Sequence, residues 1–321
     1  MTDNKKKYRA LCAVEASIPL FSQAWWLDAT AGEGGWDVIL VEKSDAIVAS
    51  MPYVARKRYG LTIIGQPALT QTLGPWLRES GGKYSTRLAQ EKERLQALIA
   101  HFPPFANYNQ NWHWQMDNWL PFYWNGFSQT TRYTYILHDL TDENTLWQGL
   151  RENIRTDIKK ASNRFKLRVR DDLSIDDFLA LNRMTFARQD MNLPYTEGFV
   201  RNLDQACVEK KSRKIFIAED ENGCRHAGVY IVWDKNAAYY LMGGGDPALR
   251  NSGATSLCMW EAIKFAATVS QRFDFEGSML EPVEKFFRAF GAQQTPYFTV
   301  SKTTSRALKL VQFLRKLKAA G

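Results

Sequence analysis

Ala237-Ala238-Tyr239-Tyr240-Leu241-Met242-Gly243-Gly244-Gly245-Asp246-Pro247-Ala248-Leu249-Arg250-Asn251-Ser252-Gly253-Ala254-Thr255-Ser256-Leu257 reads as a β-strand, a glycine-rich turn and the start of a helix. The aromatic strand ends in three glycines, which let a ligand approach the backbone closely, and Ser252 is placed to cap a helix running to about Val269. A helix start offers free N–H donors and the positive end of a dipole, so the segment has the form of a phosphate cradle with Arg250 beside it. A plain strand–turn–helix is the competing reading. The spacing fits neither the Walker loop, which needs a lysine after its last glycine, nor the dinucleotide fingerprint.

Upstream, Lys214 to Glu219, Ala227 to Trp233 and Ala237 to Met242 form a three-strand meander, with a turn at Asp220 to Gly223. The first half has the same order: Trp36 to Glu42 and Ala46 to Val54 make a hairpin around Lys43-Ser44-Asp45, and Leu61 to Ile64 follows. Pro67-Ala68-Leu69 and Pro247-Ala248-Leu249 close the two meanders about 180 residues apart, which points to a duplicated domain. Between the halves lie strands at Ala106 to Trp114 and Thr130 to Leu137, and a boundary near Asp139 to Asp142. Thr141 is placed to cap one helix, Glu143 to Phe165, on which Arg151, Arg155 and Lys159 recur every four residues as a basic face.

Downstream, Arg272-Phe273-Asp274-Phe275-Glu276-Gly277-Ser278 alternates as a strand, with Asp274 and Glu276 on one face and the two phenylalanines on the other. A partly buried carboxylate there could take a proton from an ammonium nucleophile; pairing with an arginine to hold the fold is the alternative. Pro282 then opens a helix through Phe290, stopped by Gly291, and Thr295 to Ser301 is a closing strand. The last helix, 305–319, gathers Leu308, Val311, Leu314 and Leu317 on one face and sets Arg306, Lys309, Arg315, Lys316 and Lys318 elsewhere. Docking on the first domain is expected of it, with contact to a membrane surface or RNA as the alternative.

The excess of 42 Lys and Arg over 34 Asp and Glu favours anionic partners. Cys12, Cys207, Cys224 and Cys258 include no C-x-x-C pair, and the four histidines lack ligand spacing, so we expect no disulfide framework, no metal and a reducing, cytoplasmic setting. No stretch approaches the ~20 apolar residues of a membrane span. Trp112, Trp114, Trp119 and Trp124 cluster as core filling or as a platform for sugars or bases.

With these elements in order, the second half resembles the GNAT acyltransferase superfamily. Its phosphate signature (Gln or Arg, two residues, Gly, one residue, Gly or Ala) is met by Arg250-Asn251-Ser252-Gly253-Ala254-Thr255 except at Thr255. The duplicated layout, with Phe273 to Ser278 followed by Phe286-Phe287-Arg288-Ala289-Phe290-Gly291, is similar to the Fem-type branch, which includes peptidoglycan bridge aminoacyltransferases and acetyltransferase-like proteins of envelope-polysaccharide clusters. The likeness covers most of the chain and is strongest from about Glu143 to Lys302.

That resemblance implies an α+β fold of two tandem GNAT-like domains, each a mixed, mostly antiparallel sheet flanked by helices. Residues 1–140 would be a degenerate copy on the acceptor side, and 141–321 the donor and catalytic copy. The implied reaction moves an acyl group from acyl-CoA to an amine on a sugar, amino acid or envelope precursor. Aminoacyl-tRNA is the alternative donor, with tRNA then a partner, and a non-catalytic anion- or glycan-binding module is the third reading. Gly243, Gly244, Arg250, Gly253, Ala254 and Thr255 would contact the donor, and Asp274 or Glu276 would accept the proton. Trp124, Arg155 and Lys159 would meet the acceptor. Phe287 stands where Fem-type transferases commonly carry a lysine, so Lys285 and Arg288, on nearly the same side of that helix, are the candidate cations.

Overall fold

The structure, a computed structural model, describes residues 2–188, 194–277 and 279–320, with side chains as far as 315. Ser278 of the carboxylate strand and the side chains of Lys316, Leu317 and Lys318 lie outside the described residues. In chain order the elements are α1 (Asp3–Val14), α2 (Ala24–Ala31), β1 (Asp37–Lys43), β2 (Ala46–Arg58), β3 (Leu61–Gly65), β4 (Trp76–Leu77), α3 (Tyr84–Ala100), β5 (Asn107–Asn111), α4 (Leu120–Trp124) and β6 (Ser128–Leu137). There follow α5 (Glu143–Gly149), α6 (Glu152–Asn163), β7 (Arg168–Arg170), α7 (Ile175–Arg188), α8 (Glu197–Glu209), β8 (Arg213–Glu219), β9 (Arg225–Trp233), β10 (Ala238–Gly245), α9 (Ala254–Ala266), β11 (Phe273–Asp274), α10 (Glu281–Arg288), β12 (Gln293–Thr303) and α11 (Arg306–Ala320).

The chain folds into two compact units, Met1–Arg132 with Pro296–Gly321, and Tyr133–Thr295. The same order recurs in both halves of the sequence. Two helices (α1, α2; α7, α8) precede an antiparallel meander (β1-β2-β3; β8-β9-β10), and a helix (α3; α9) then leads to a strand parallel to the meander's third (β5 on β3; β11 on β10). A short helix and a further strand close each series (α4, β6; α10, β12). In the first unit Thr299–Thr303 of β12 pairs with Asn107–Asn111 of β5, which is why the chain from Pro296 onward belongs there rather than with the residues just before it.

In the second unit the sheet is covered on both faces, and β9 is accordingly buried along nearly its whole length. Gly228 lets α7 close on one face, where a Cβ would meet Phe178 and Leu181, and Cys258 of α9 reaches the Ala227 carbonyl on the other. Leu257, Met259, Trp260 and Ile263 of α9 join Ile154 and Ile158 of α6, Val229 and Ile231 of β9, and Phe273, Phe275, Phe287 and Phe290 in one core. In the first unit Ile39, Met51, Ile64, Tyr108, Trp112, Phe122 and Val300 form a core, so Trp112 fills the interior, whereas Trp124 is 57% exposed.

Several local expectations are corrected. The helix foreseen over 143–165 is two, because Arg151 is extended at the break and its N–H donates to the Ala289 carbonyl at 2.9 Å. Its cap is Asp142, which accepts from the Asn144 N–H at 3.0 Å, while Thr141 donates to Asp139. Gly243, Gly244 and Gly245 are the end of β10, not a turn, and the residue capping α9 is Gly253 in the left-handed region (φ 81°) rather than Ser252. The last helix leaves Leu310, Val311, Phe313 and Leu314 exposed, so these side chains are not covered by the first unit.

Candidate active site

β11 lies beside β10 at only two positions, Ala238 opposite Phe273 and Tyr239 opposite Asp274. β10 then continues along β9 to Gly245, while the chain after β11 turns sharply, because Glu276 (φ 59°) and Gly277 (φ 55°) are both left-handed. A Cβ on Gly277 would sit 2.5 Å from the Thr134 Cα, so this corner needs glycine for space as well as conformation. Between the end of β10 and α10, into which that corner leads, a cleft of about 420 Å³ opens. Thr185 and Arg188 of α7, Gly243 to Gly245 and Tyr240 of β10, Arg250 and Thr255 line it, and Val283, Phe286 and Phe287 form its apolar wall.

Two β-bulges shape this cleft. Tyr240 pairs with Ile231 and Met242 with Tyr230, leaving Leu241 as an extra residue outside the register. Such a residue lifts backbone groups out of the ladder and turns them toward other partners. On β9, Ala227 pairs with Ala218 and Arg225 with Glu219, so His226 is likewise extra. Its ring is buried, with Nε2 3.4 Å from Asp220 Oδ2.

The three glycines answer to protein neighbours. A Cβ on Gly244 would lie 2.5 Å from the Asn182 N and 2.6 Å from the Leu181 C of α7, and one on Gly243 would lie 3.0 Å from the Tyr240 Cζ. α7 is pinned at this approach: Asn182 Nδ2 donates to the Gly243 carbonyl at 2.7 Å, and the Gly245 N–H donates to Thr185 Oγ1 at 3.0 Å. Tyr240 is thereby seated over Gly243, with its ring 5.8 Å from that of Phe287 in an edge-on arrangement. Burial raises its phenol above the ordinary tyrosine range, so it stays protonated and a donor at neutral pH.

Asp274 is buried, and its carboxylate accepts from Thr134 Oγ1 and from the Glu276 N–H at 2.8 Å rather than from an arginine. Burial pushes its pKa up to about 6 against the lowering effect of those two hydrogen bonds. Glu276 is half-buried, and its carboxyl is raised well above the usual range, first by burial and then by the charge of Asp274. Its charge adds to the raising of the Tyr240 phenol, but neither Asp274 nor Glu276 is among the residues that line the cleft.

Of the residues singled out from sequence, Gly243, Gly244, Arg250 and Thr255 meet in the cleft. Gly253 and Ala254 do not line it, and Gly253 instead abuts the backbone of Asp157 in α6. Arg188 and Arg250 are exposed, and among the described residues neither guanidinium has a hydrogen bond or ion pair. Lys285 and Arg288 are held by Glu281 and Glu284 of their own helix, each at 2.7 Å, and do not line the cleft. Arg155 donates to the Gln148 carbonyl at 3.1 Å, Lys159 is exposed on α6, and Trp124 belongs to the first unit with Lys92 5.4 Å from its ring. Thr185, Arg188 and His226 are contributors that sequence reasoning missed, as is the side chain of Tyr240, whose strand alone was expected to hold the donor. A signal for α7 existed in Ser174 and Asp177, which bond reciprocally as a capping box (Ser174 N–H to Asp177 Oδ2 2.9 Å, Asp177 N–H to Ser174 Oγ 3.3 Å). Among the described residues no group of three His, Cys, Asp or Glu side chains is set to hold a metal.

Residues 148–288 match the family described as acetyltransferase (GNAT) domain. No curated protein matches the chain. The crystal structure of FemX is similar over 97% of this chain and 98% of its own, with a TM-score of 0.69 at 14% identity. The structure of L-PGS from Bacillus licheniformis is similar over 96% and 95%, with a TM-score of 0.54 at 12% identity. At these identities the likeness is one of fold. Because the matched span takes in α6 to α10, and with them both the cleft and the carboxylate pair, residues 148–288 form an acyltransferase domain of the GNAT type, in a chain that shares the fold of FemX.

Proposed function

We propose that the chain is an N-acyltransferase that moves an acyl group from acyl-CoA to an amine on a sugar, amino acid or cell-envelope precursor. The observation that carries this reading is the cleft beside the Leu241 bulge, with two guanidiniums on its walls that have no partner among the described residues and an apolar side formed by α10. A CoA thioester needs cations for its phosphates, backbone groups for its extended arm and a dry wall for the reacting end. Arg188 and Arg250 supply the first, with the Thr255 hydroxyl beside them, and Phe286 with Phe287 the last.

In this mechanism the amine attacks the acyl carbon directly. The C–N bond forms, the C–S bond breaks, and peptide N–H groups around Leu241 stabilise the oxyanion between the two events. The proton released by the ammonium passes to Glu276, and the neutral Tyr240 phenol donates to the departing sulfur. Asp274, sealed by Thr134 and a peptide N–H, is a positioning residue that sets the charge state of Glu276.

Its charge raises the Glu276 pKa, so Asp274→Asn, whose amide oxygen can keep both hydrogen bonds, should lower it. The acidic limb of kcat/KM against pH then moves toward lower pH, and an unmoved limb removes Glu276 as the group that titrates there.

The test of the donor is a thermal-shift panel of acetyl-CoA, longer acyl-CoAs and charged tRNA. Saturating acyl-CoA raises Tm, and Arg250→Ala weakens that binding roughly tenfold, the loss of one charge-assisted phosphate contact. A shift with charged tRNA and none with CoA assigns the donor to the aminoacyl branch. A shift with neither supports an anion- or glycan-binding module.

A further inference from the structure

Residues 285–321 contain eight Lys and Arg and no Asp or Glu, so residues 1–284 balance at 34 of each and the entire excess of the chain resides in this terminal segment. Five of the eight, Arg306, Lys309, Arg315, Lys316 and Lys318, belong to α11. On that helix Leu310, Val311, Phe313 and Leu314 are 59, 45, 58 and 50% exposed. At 100° per residue these four fall on one side, with Lys309 and Arg315 at its two edges. A solvated helix carries polar groups on its outer face; here the outer face is apolar from Leu310 to Leu314, with Arg306 in the first turn before it and cations at its borders.

We propose that α11 is an in-plane helix that docks the protein on an anionic lipid surface. The apolar face enters the acyl boundary while Lys309 and Arg315 extend along it to the phosphates, which long cationic side chains do readily. Each of the two chemistries needs the other: a zwitterionic surface leaves the cations unmatched, and a polyphosphate chain such as RNA leaves Leu310, Val311 and Leu314 in water. The inference is independent of which donor the cleft takes. It also accounts for a positive charge that, through residue 284, the rest of the chain does not share.

The full chain is sedimented with vesicles of phosphatidylcholine, with and without phosphatidylglycerol. It partitions to the anionic vesicles only, and added salt releases it. Lys309→Gln weakens partitioning about fivefold, the usual effect of one cation near such a surface. Phe313→Glu with Leu314→Glu abolishes it while Tm and ligand binding in the cleft stay unchanged, because both side chains are exposed. Equal binding to both vesicle types, or to neither, overturns the proposal. So does binding of total tRNA that the double variant loses, or a dimer in solution that the double variant converts to monomer.

Discussion

Gly253→Ala should remove about 3–5 kcal/mol of stability, a large loss for the addition of a single methyl group. Gly253 caps α9 at φ 81°, ψ 8°, a region an alanine enters at a cost of about 1 kcal/mol or more. The added Cβ would also overlap the Asp157 carbonyl oxygen and lie 2.9 Å from its C and 3.1 Å from its Cα. These are backbone atoms of α6, so no side-chain rotation relieves the overlap; α6 and α9 must separate, and with them the core around Ile158, Leu257 and Ile263. For a unit of this size each kcal/mol lowers Tm by roughly 2–4 °C, so a fall of about 10 °C is expected. Gly60→Ala is the control, since Gly60, in the hairpin between β2 and β3, has a similar φ (75°) but nothing within 4 Å of an added Cβ. Chemical denaturation of the two variants separates the terms: the α6 contact is the difference between them, and equal losses would assign the whole effect to φ.

Arg250-Asn251-Ser252-Gly253-Ala254-Thr255 looks like a ligand motif, yet Gly253 answers to a helix and only Arg250 and Thr255 line the cleft. The same holds for Gly243 and Gly244. A sequence announces that something approaches a glycine closely; it does not say whether a ligand, a tyrosine ring or a neighbouring helix does so. Here the neighbours are Tyr240 and α7, both of which line the cleft, so the glycines act on the site through the residues they admit.

The two meanders were legible because strand alternation is a local, period-two signal, and β1 to β3 and β8 to β10 were located to within a few residues. The break between α5 and α6 was not. Gly149 ends α5, but a lone glycine is tolerated within a helix, and the Arg151 N–H is taken by the Ala289 carbonyl, more than a hundred residues away in sequence. The carboxylates show both sides of this. Alternation predicted that Asp274 and Glu276 would share a face, but the strand ends at Asp274 and Glu276 adopts a left-handed backbone that no sequence pattern signals for a glutamate. They interact because the Glu276 N–H folds back onto the Asp274 carboxylate, a contact made by the turn and not by the pleat.

Glu276→Gln should lower kcat by roughly 10²- to 10³-fold and leave donor affinity within a few-fold. The substitution keeps the shape of the side chain and removes only its capacity to take a proton. The fold should not suffer. Glu276 is raised well above the ordinary glutamate range, which means that the folded state disfavours its charge, and an amide carries none. At pH values where Glu276 ionises, the Gln variant should therefore be at least as stable as the parent. A left-handed glutamate beside a raised carboxyl is also an arrangement that stability alone would not favour, since Gly or Asn fits the φ of 59° with less strain. Reduced turnover with unchanged binding and unchanged or higher Tm thus separates loss of the proton acceptor from loss of structure. A Gln variant with kcat close to the parent's would move the acceptor elsewhere, and the next group to test is His226, whose buried ring stands beside Asp220 at the second bulge of the same cleft.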